Sequence, residues 1–117
     1  MPKQGDIVLI PVPFTDLTSS KRRPVIVISS DSYNQSTADM IVVAMTSVPT
    51  PGPFSFLVSS SDLVQGQLNR PGTVRVDKIY TLDQSLTVKR FGQVNSHIVS
   101  KIQTILLTLT AQSSIQK

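Results

Sequence analysis

The 117-residue sequence has no cysteine, which removes disulfides, thiol catalysis and cysteine-based zinc sites in one step. It has one histidine, His97, so histidine-dependent nucleophilic triads lack their parts. His97 falls at the start of a helical pattern and reads as a neutral, partly exposed residue with no role beyond that. The acids Asp16, Asp31, Asp39, Asp62 and Asp83 are scattered, mostly in turns where aspartate serves the backbone, so no metal site is expected. Neither a P-loop nor a dinucleotide-type glycine pattern occurs, so no cofactor is expected. No apolar run approaches the roughly 20 residues of a membrane-spanning helix. Met1-Pro2-Lys3-Gln4-Gly5-Asp6 does not read as a signal peptide, which leaves a cytoplasmic protein as the expectation.

What is present is a moderately apolar, basic chain. Hydrophobic residues make up 39 % and charged residues 15 %, enough to bury one core, and residues 1–117 read as a single domain. Eleven Lys and Arg against seven Asp and Glu give a net charge of +4. That balance favours anionic partners, nucleic acid first, although solubility alone also accounts for a charge of this size.

The stretch Lys21-Arg22-Arg23-Pro24-Val25-Ile26-Val27-Ile28-Ser29 organises the chain. Its unbroken β-branched run reads as a strand buried on both faces, from about Pro24 to Ser29. Pro24 fixes the backbone and biases Arg23 toward an extended conformation, so the guanidinium stands at the rim of a rigid strand. Other strands are expected at Ile7–Ile10, Asp39–Met45, Phe54–Val58, Thr73–Asp77 continuing or kinking through Ile79–Leu82, and Thr87–Val94, with Gly92 a bulge candidate. Pro11 and Pro13 should end the first strand. Phe14 to Ser20 reads as a loop, Ser30 to Ser36 as a loop with a helical turn, and Leu63 to Gln67 as a short helical turn after Ser59–Asp62. Ile98, Ile102, Ile105, Leu106 and Leu109 recur at helical spacing behind a cap at Asn95 or Ser96, and the tail beyond Thr110 should fray. Short strands divided by Pro/Gly turns, with one terminal helix, point to a mainly β (α+β) fold, a small bent barrel or half-barrel.

Cations and hydroxyls are the remaining chemistry. If the second and third strands pair antiparallel, Arg23 and Thr46 reach the same end of the sheet. An arginine fork beside a hydroxyl suits a phosphate. Lys21, Arg22, Arg70, Arg75 and Lys78 would widen the basic surface, and with Ser47 and Asp77 they are the RNA-binding candidates.

Gly5-Asp6-Ile7-Val8-Leu9, the Lys21 to Val27 run and Ala44-Met45-Thr46-Ser47 resemble the MazF/PemK (Kid-like) toxins of bacterial toxin–antitoxin pairs. So do Val74-Arg75-Val76-Asp77-Lys78-Ile79-Tyr80-Thr81-Leu82-Asp83, Lys89-Arg90-Phe91-Gly92-Gln93-Val94 and the closing amphipathic helix. The resemblance spans nearly the whole chain with the motifs in order. It implies an SH3-like barrel acting as a homodimer, and a metal-independent endoribonuclease that cleaves single-stranded RNA at short sequences. It assigns catalysis to Arg23 and Thr46, and implies a small, acidic, partly disordered antitoxin as partner. RNA carries its own nucleophile, the 2′-OH, so the absence of Cys and of metal ligands is no obstacle. Arginine, which keeps its proton in proteins, is suited to charge stabilisation rather than to acting as the base, which stays unassigned. The family pattern departs at two points: Asp16 to Lys21 has no glycine, and the aromatics are only Phe14, Tyr33, Phe54, Phe56, Tyr80 and Phe91. Fewer aromatics shift readout of single-stranded RNA from stacking toward backbone and polar side chains. Two other readings stay open: a non-catalytic, gyrase-binding toxin of the same fold, and a small-barrel module that binds RNA or peptide without chemistry.

Overall fold

The β-branched run after Pro24 becomes the middle of the sheet because its side chains find apolar cover on both faces. The structure, a computed structural model, describes residues 1–11 and 21–112. They form β1 (Asp6–Pro11), β2 (Arg22–Val27), α1 (Asp31–Ser36), β3 (Asp39–Thr46), β4 (Ser55–Val58), β5 (Leu63–Gly66), β6 (Gly72–Asp83), β7 (Lys89–Val94) and α2 (Ser96–Leu109). The strands make one antiparallel sheet in the order β4-β6-β3-β2-β1-β7-β5. Val25 and Val27 pack with Val8, Ile10, Met40 and Val42 on one face. Ile26 packs on the other with Ile7, Val43 and Val74, and with Ile98 and Ile102 of α2.

The bend that turns this sheet into a half-barrel is concentrated in β6. Its far part pairs Ile79–Asp83 with Val43–Asp39, and its near part pairs Thr73–Arg75 with Thr46–Ala44. Val76, Asp77 and Lys78 fall between the two registers without a place opposite β3, and such extra residues bend a strand and increase its twist. The near part of β6 also pairs with the edge strand β4, and the Val76 N–H donates to the Phe54 carbonyl at 3.0 Å. A second bulge lies in β7, where Phe91 stands between the partners of Ile7 and Val8, next to the expected Gly92. The bent, mainly β fold with a C-terminal helix is the architecture expected from the sequence.

Helix α2 is held by packing and by its cap. The Asn95 Oδ1 accepts from the Ile98 N–H at 3.0 Å. Ile98 and Ile102 are buried, and Ile105 and Leu106 lie against the same core. The Lys101 ammonium sits 4.5 Å from the Phe56 ring centroid and ties the helix's outer face to β4.

Some expectations are corrected. Leu63 to Gln67 is not a helical turn: a single 3-10 turn spans Ser60–Asp62, and Leu63–Gly66 is β5, paired with β7. The Ser59 N–H donates to the Asp62 carboxylate at 2.9 Å, so the capping chemistry is used one turn earlier than the spacing suggested. The last strand starts at Lys89 rather than Thr87, behind a 3-10 turn over Gln84–Leu86. There the Asp83 carboxylate accepts from the Ser85 N–H at 2.8 Å. Hydrogen bonding to the Ser85 side chain, and then to its backbone, holds the Asp83 pKa below the ordinary value. His97 is exposed at the start of α2. The loop expected from Phe14 to Ser20 and most of the tail beyond Thr110 lie outside the described residues. Among the described residues no helix is long and apolar enough to cross a membrane.

Candidate active site

The β2–β3 ladder runs from Val27–Val42 to Val25–Ala44 and stops there. Pro24 comes next and has no N–H to donate, so the hydrogen-bonded pairing ends where the proline begins. Continuing the same register beyond the last pair sets Arg23 across from Thr46. Strand alternation sends both to the face that carries Val25 and Ala44. They line one cavity of about 470 Å³. Arg23 is exposed, and its guanidinium has no partner among the described residues. The Thr46 Oγ1 accepts from the Val48 N–H at 3.1 Å. That bond orients the hydroxyl and leaves its hydrogen for an anion.

Arg75, Lys78 and Tyr80 form the β6 wall of the same cavity. The Arg75 Nε and Nη2 each donate to the Asp77 carboxylate at 3.0 Å, a bidentate fork. This hydrogen bond holds the Asp77 pKa below the usual carboxylate range and raises that of Arg75, with desolvation opposing each shift. The pair is partly exposed, 26 % and 34 %, so it contributes little to stability. Its consequence is orientation: the guanidinium plane is fixed beside Lys78 while its positive charge is partly offset.

A second cavity, about 510 Å³, opens on the other side of the same strand ends and shares Met45 and Thr46 with the first. Pro24, Met45 and Ser47 alternate into it, and Arg70 reaches it from the turn before β6. The sequence-derived residues therefore divide into two groups. Arg23, Thr46, Arg75 and Lys78 share one cavity, whereas Ser47 and Arg70 belong to its neighbour. Asp77 lines neither and reaches the first cavity through its fork to Arg75, and Lys21 and Arg22 are exposed and line neither. Sequence reasoning missed Tyr80 as a site residue, although simple alternation from Lys78 would have placed it on the same face. It also missed Gln67, Asn69, Lys89 and Arg90 on the second cavity, which no local pattern marks. Among the described residues, no three of His, Cys, Asp and Glu are grouped as metal ligands.

A bent antiparallel sheet that parts at an Arg-Pro dipeptide, with a basic cavity at the parting, has close counterparts among solved structures. A mycobacterial endoribonuclease in complex with its cognate antitoxin superposes with a TM-score of 0.78 at 24 % identity, over 97 % of this chain and 99 % of that one. A second mycobacterial endoribonuclease gives 0.72 at 26 %, over 92 % and 88 %. A MazE–MazF complex from Deinococcus radiodurans gives 0.76 at 25 %, over 96 % and 98 %. Comparison with curated proteins finds no match. The sequence itself matches, over residues 3–110, the family described as PemK-like, MazF-like toxin of type II toxin-antitoxin system, and with fold and sequence agreeing, the chain belongs to that family.

Proposed function

We propose that this protein is an endoribonuclease toxin that cleaves single-stranded RNA at short sequences without a metal ion and is neutralised by an antitoxin. The observation that carries the reading is the convergence of Arg23 and Thr46 on one basic cavity. In the reaction the ribose 2′-oxygen attacks the adjacent phosphorus and the P–O5′ bond breaks. The 2′-OH proton leaves to a base and the 5′-oxygen leaves with a proton. One fragment ends in a 2′,3′-cyclic phosphate and the other in a 5′-OH. The protein's work is positioning and charge stabilisation. Arg23 donates to the phosphate oxygens as negative charge builds, and the Thr46 hydroxyl, oriented by the Val48 N–H, donates to a second oxygen. Arg75, fixed by Asp77, and Lys78 hold the backbone of the strand.

Two association properties complete the proposal. The antitoxin is acidic, matching the +4 charge of the toxin. The toxin acts as a homodimer: β4 is an edge of the sheet, and its Leu57 is 66 % exposed. Light scattering at micromolar concentration checks the dimer, and a monomer there counts against it.

The deciding experiment incubates purified protein with a mixed single-stranded RNA in EDTA, beside Arg23→Ala. Because Arg23 is exposed, the variant should fold as the wild type does while kcat falls about 10²–10³-fold, as for loss of one preorganised donor to a developing anion. Equal background in both samples, or cleavage that EDTA abolishes, rejects the reading. Growth arrest that survives Arg23→Ala and follows gyrase binding favours the non-catalytic alternative.

A further inference from the structure

The second cavity adjoins the first at Met45 and Thr46, and its other residues are not used in the chemistry described above. It shares Thr46 with the first cavity, so a strand whose phosphate sits between Arg23 and Thr46 passes directly from one to the other. Its volume, about 510 Å³, falls within the roughly 300–1,000 Å³ of sites that enclose small ligands. Its composition differs from that of the first. Arg70 supplies a cation with no partner among the described residues, and Gln67 and Asn69 supply side-chain amides that are likewise unpaired among them. Arg90 is already committed, with its Nε 3.0 Å from the buried Asp6 carboxylate and its Nη2 donating to Gln65 at 3.0 Å. A primary amide presents a donor and an acceptor side by side, the pattern that pairs with the edge of an unstacked base.

The wall that carries these groups is held in place. Both the Leu68 N–H, at 2.9 Å, and the Leu68 carbonyl, at 3.1 Å, are bonded to the Ser60 hydroxyl. Pro71 limits the backbone next to Arg70. Gly66 has a φ of +84°, and a methyl on it would overlap the Phe91 carbonyl, so the start of the segment is seated against β7. Gln67 and Asn69 therefore stand on either side of a pinned residue, which is the preorganisation that discrimination between bases requires.

We infer that the second cavity holds the nucleotide adjoining the scissile phosphate, with Arg70 on its backbone and Gln67 and Asn69 reading the edge of its base. The inference rests on the ribonuclease reading above and assigns part of its sequence specificity to the segment between β5 and β6.

The test uses full-length protein and three single variants, Gln67→Glu, Asn69→Asp and Arg70→Ala, all at exposed positions where folding should be unaffected. The two acid variants keep the size of the side chain and change its hydrogen-bond pattern. Wild type and variants cut one long RNA, and the 5′ ends of the fragments are mapped. In Gln67→Glu or Asn69→Asp, the preference at one base flanking the cut should change by about fivefold or more, the factor matching about 1 kcal/mol for one hydrogen bond. The measured quantity is a ratio between bases, which a general effect of the added charge leaves alone. Arg70→Ala should keep the base preference, raise KM, and lower the slope of log affinity against log salt by about 0.7, the value for one phosphate of a single strand. A wild type that cuts RNA alongside variants with unchanged cut sites and unchanged salt slope overturns this inference and leaves the ribonuclease reading intact. Weakened antitoxin binding with unchanged cut sites overturns it in favour of a peptide site. A wild type that cuts no RNA removes both readings together.

Discussion

Gly92→Ala is the sharpest structural test of how the second cavity is built. Gly92 on β7 stands opposite Gly66 on β5, and the two backbones approach so closely that a methyl on Gly92 would overlap the Gln65 carbonyl oxygen. The obstacle is backbone rather than the end of a flexible side chain, so no change of rotamer relieves it. Insertion of a methyl group into such a site costs about 1–3 kcal/mol, and a clash with main chain belongs at the upper end. For a domain of this size about 3 kcal/mol lowers Tm by about 10 °C. The alternative relaxation is local: β5 has four residues and pairs on one side only, so it can leave β7 at the cost of the packing of Leu63 against the core. Calorimetry and amide exchange together distinguish the outcomes, as a fall in Tm or as lost protection confined to Leu63–Gly66. Because Arg23 and Thr46 belong to β2 and β3, the variant should keep cleaving while its base preference broadens. An unshifted melt with unchanged β5 exchange would refute the close-packing argument.

Thr46 and the Arg75–Asp77 fork give two further tests. Thr46→Ser keeps the hydroxyl and should retain cleavage within a few-fold, whereas Thr46→Val loses it; single-turnover rates should fall about 10–100-fold, as for one hydrogen bond to a charged group. Equal rates for Ser and Val would remove the hydroxyl from the mechanism. For the fork, the Asp77 carboxyl titrates below its ordinary value of about 3.9, so the stabilisation it gives is fully present above that pH and is lost only as pH falls through the lower, folded value. Arg75 is raised from an already high value and stays charged throughout. The pair should contribute no ionisation to the rate between pH 5 and 9, so wild type and Asp77→Asn should give pH–rate profiles of the same shape. An inflection in that range that Asp77→Asn abolishes would show Asp77 titrating in the reaction.

The parts of the fold that were legible in sequence rest on strong local signals. Val25 to Ile28 has no polar residue to place on a solvent face, and Ile98, Ile102 and Leu106 keep helical spacing behind a capping Asn95. The pairing of Arg23 with Thr46 was legible because both lie at the ends of adjacent strands and one antiparallel assumption joins them. β5 was not legible. Leu63-Val64-Gln65-Gly66 is too short to show a period, and it follows a Ser-rich segment whose capping residues argue for helix. What makes it a strand is the fit of Gly66 against Gly92, a contact between residues far apart in the chain. The excursion of β6 was legible only as one of two options: the alternation over Thr73–Asp77 breaks at Lys78, which fits a strand that continues or one that kinks, and only pairing with β3 shows that Val76 to Lys78 stand outside the ladder. The second cavity depends on β5, β6 and β7 meeting, so its amides carried no local mark.

The Arg-Pro dipeptide then has a more specific meaning than a cation stiffened by its neighbour. Pro24 marks the point where β2 and β3 stop pairing with each other, and beyond it Arg23 is held opposite Ile10 of β1 and Thr46 opposite Thr73 of β6. Arg23 falls on the side of the first cavity and Pro24 and Ser47 on the side of the second, while Met45 and Thr46 line both. A slip of one residue in this register would put Arg22 where Arg23 stands and turn Arg23 toward the second cavity. The apolar run Val25-Ile26-Val27 forbids that slip, because it would exchange residues between two cores that are both already filled. The packing of the buried half of β2, Val25 to Val27, is thus what decides which arginine faces the first cavity.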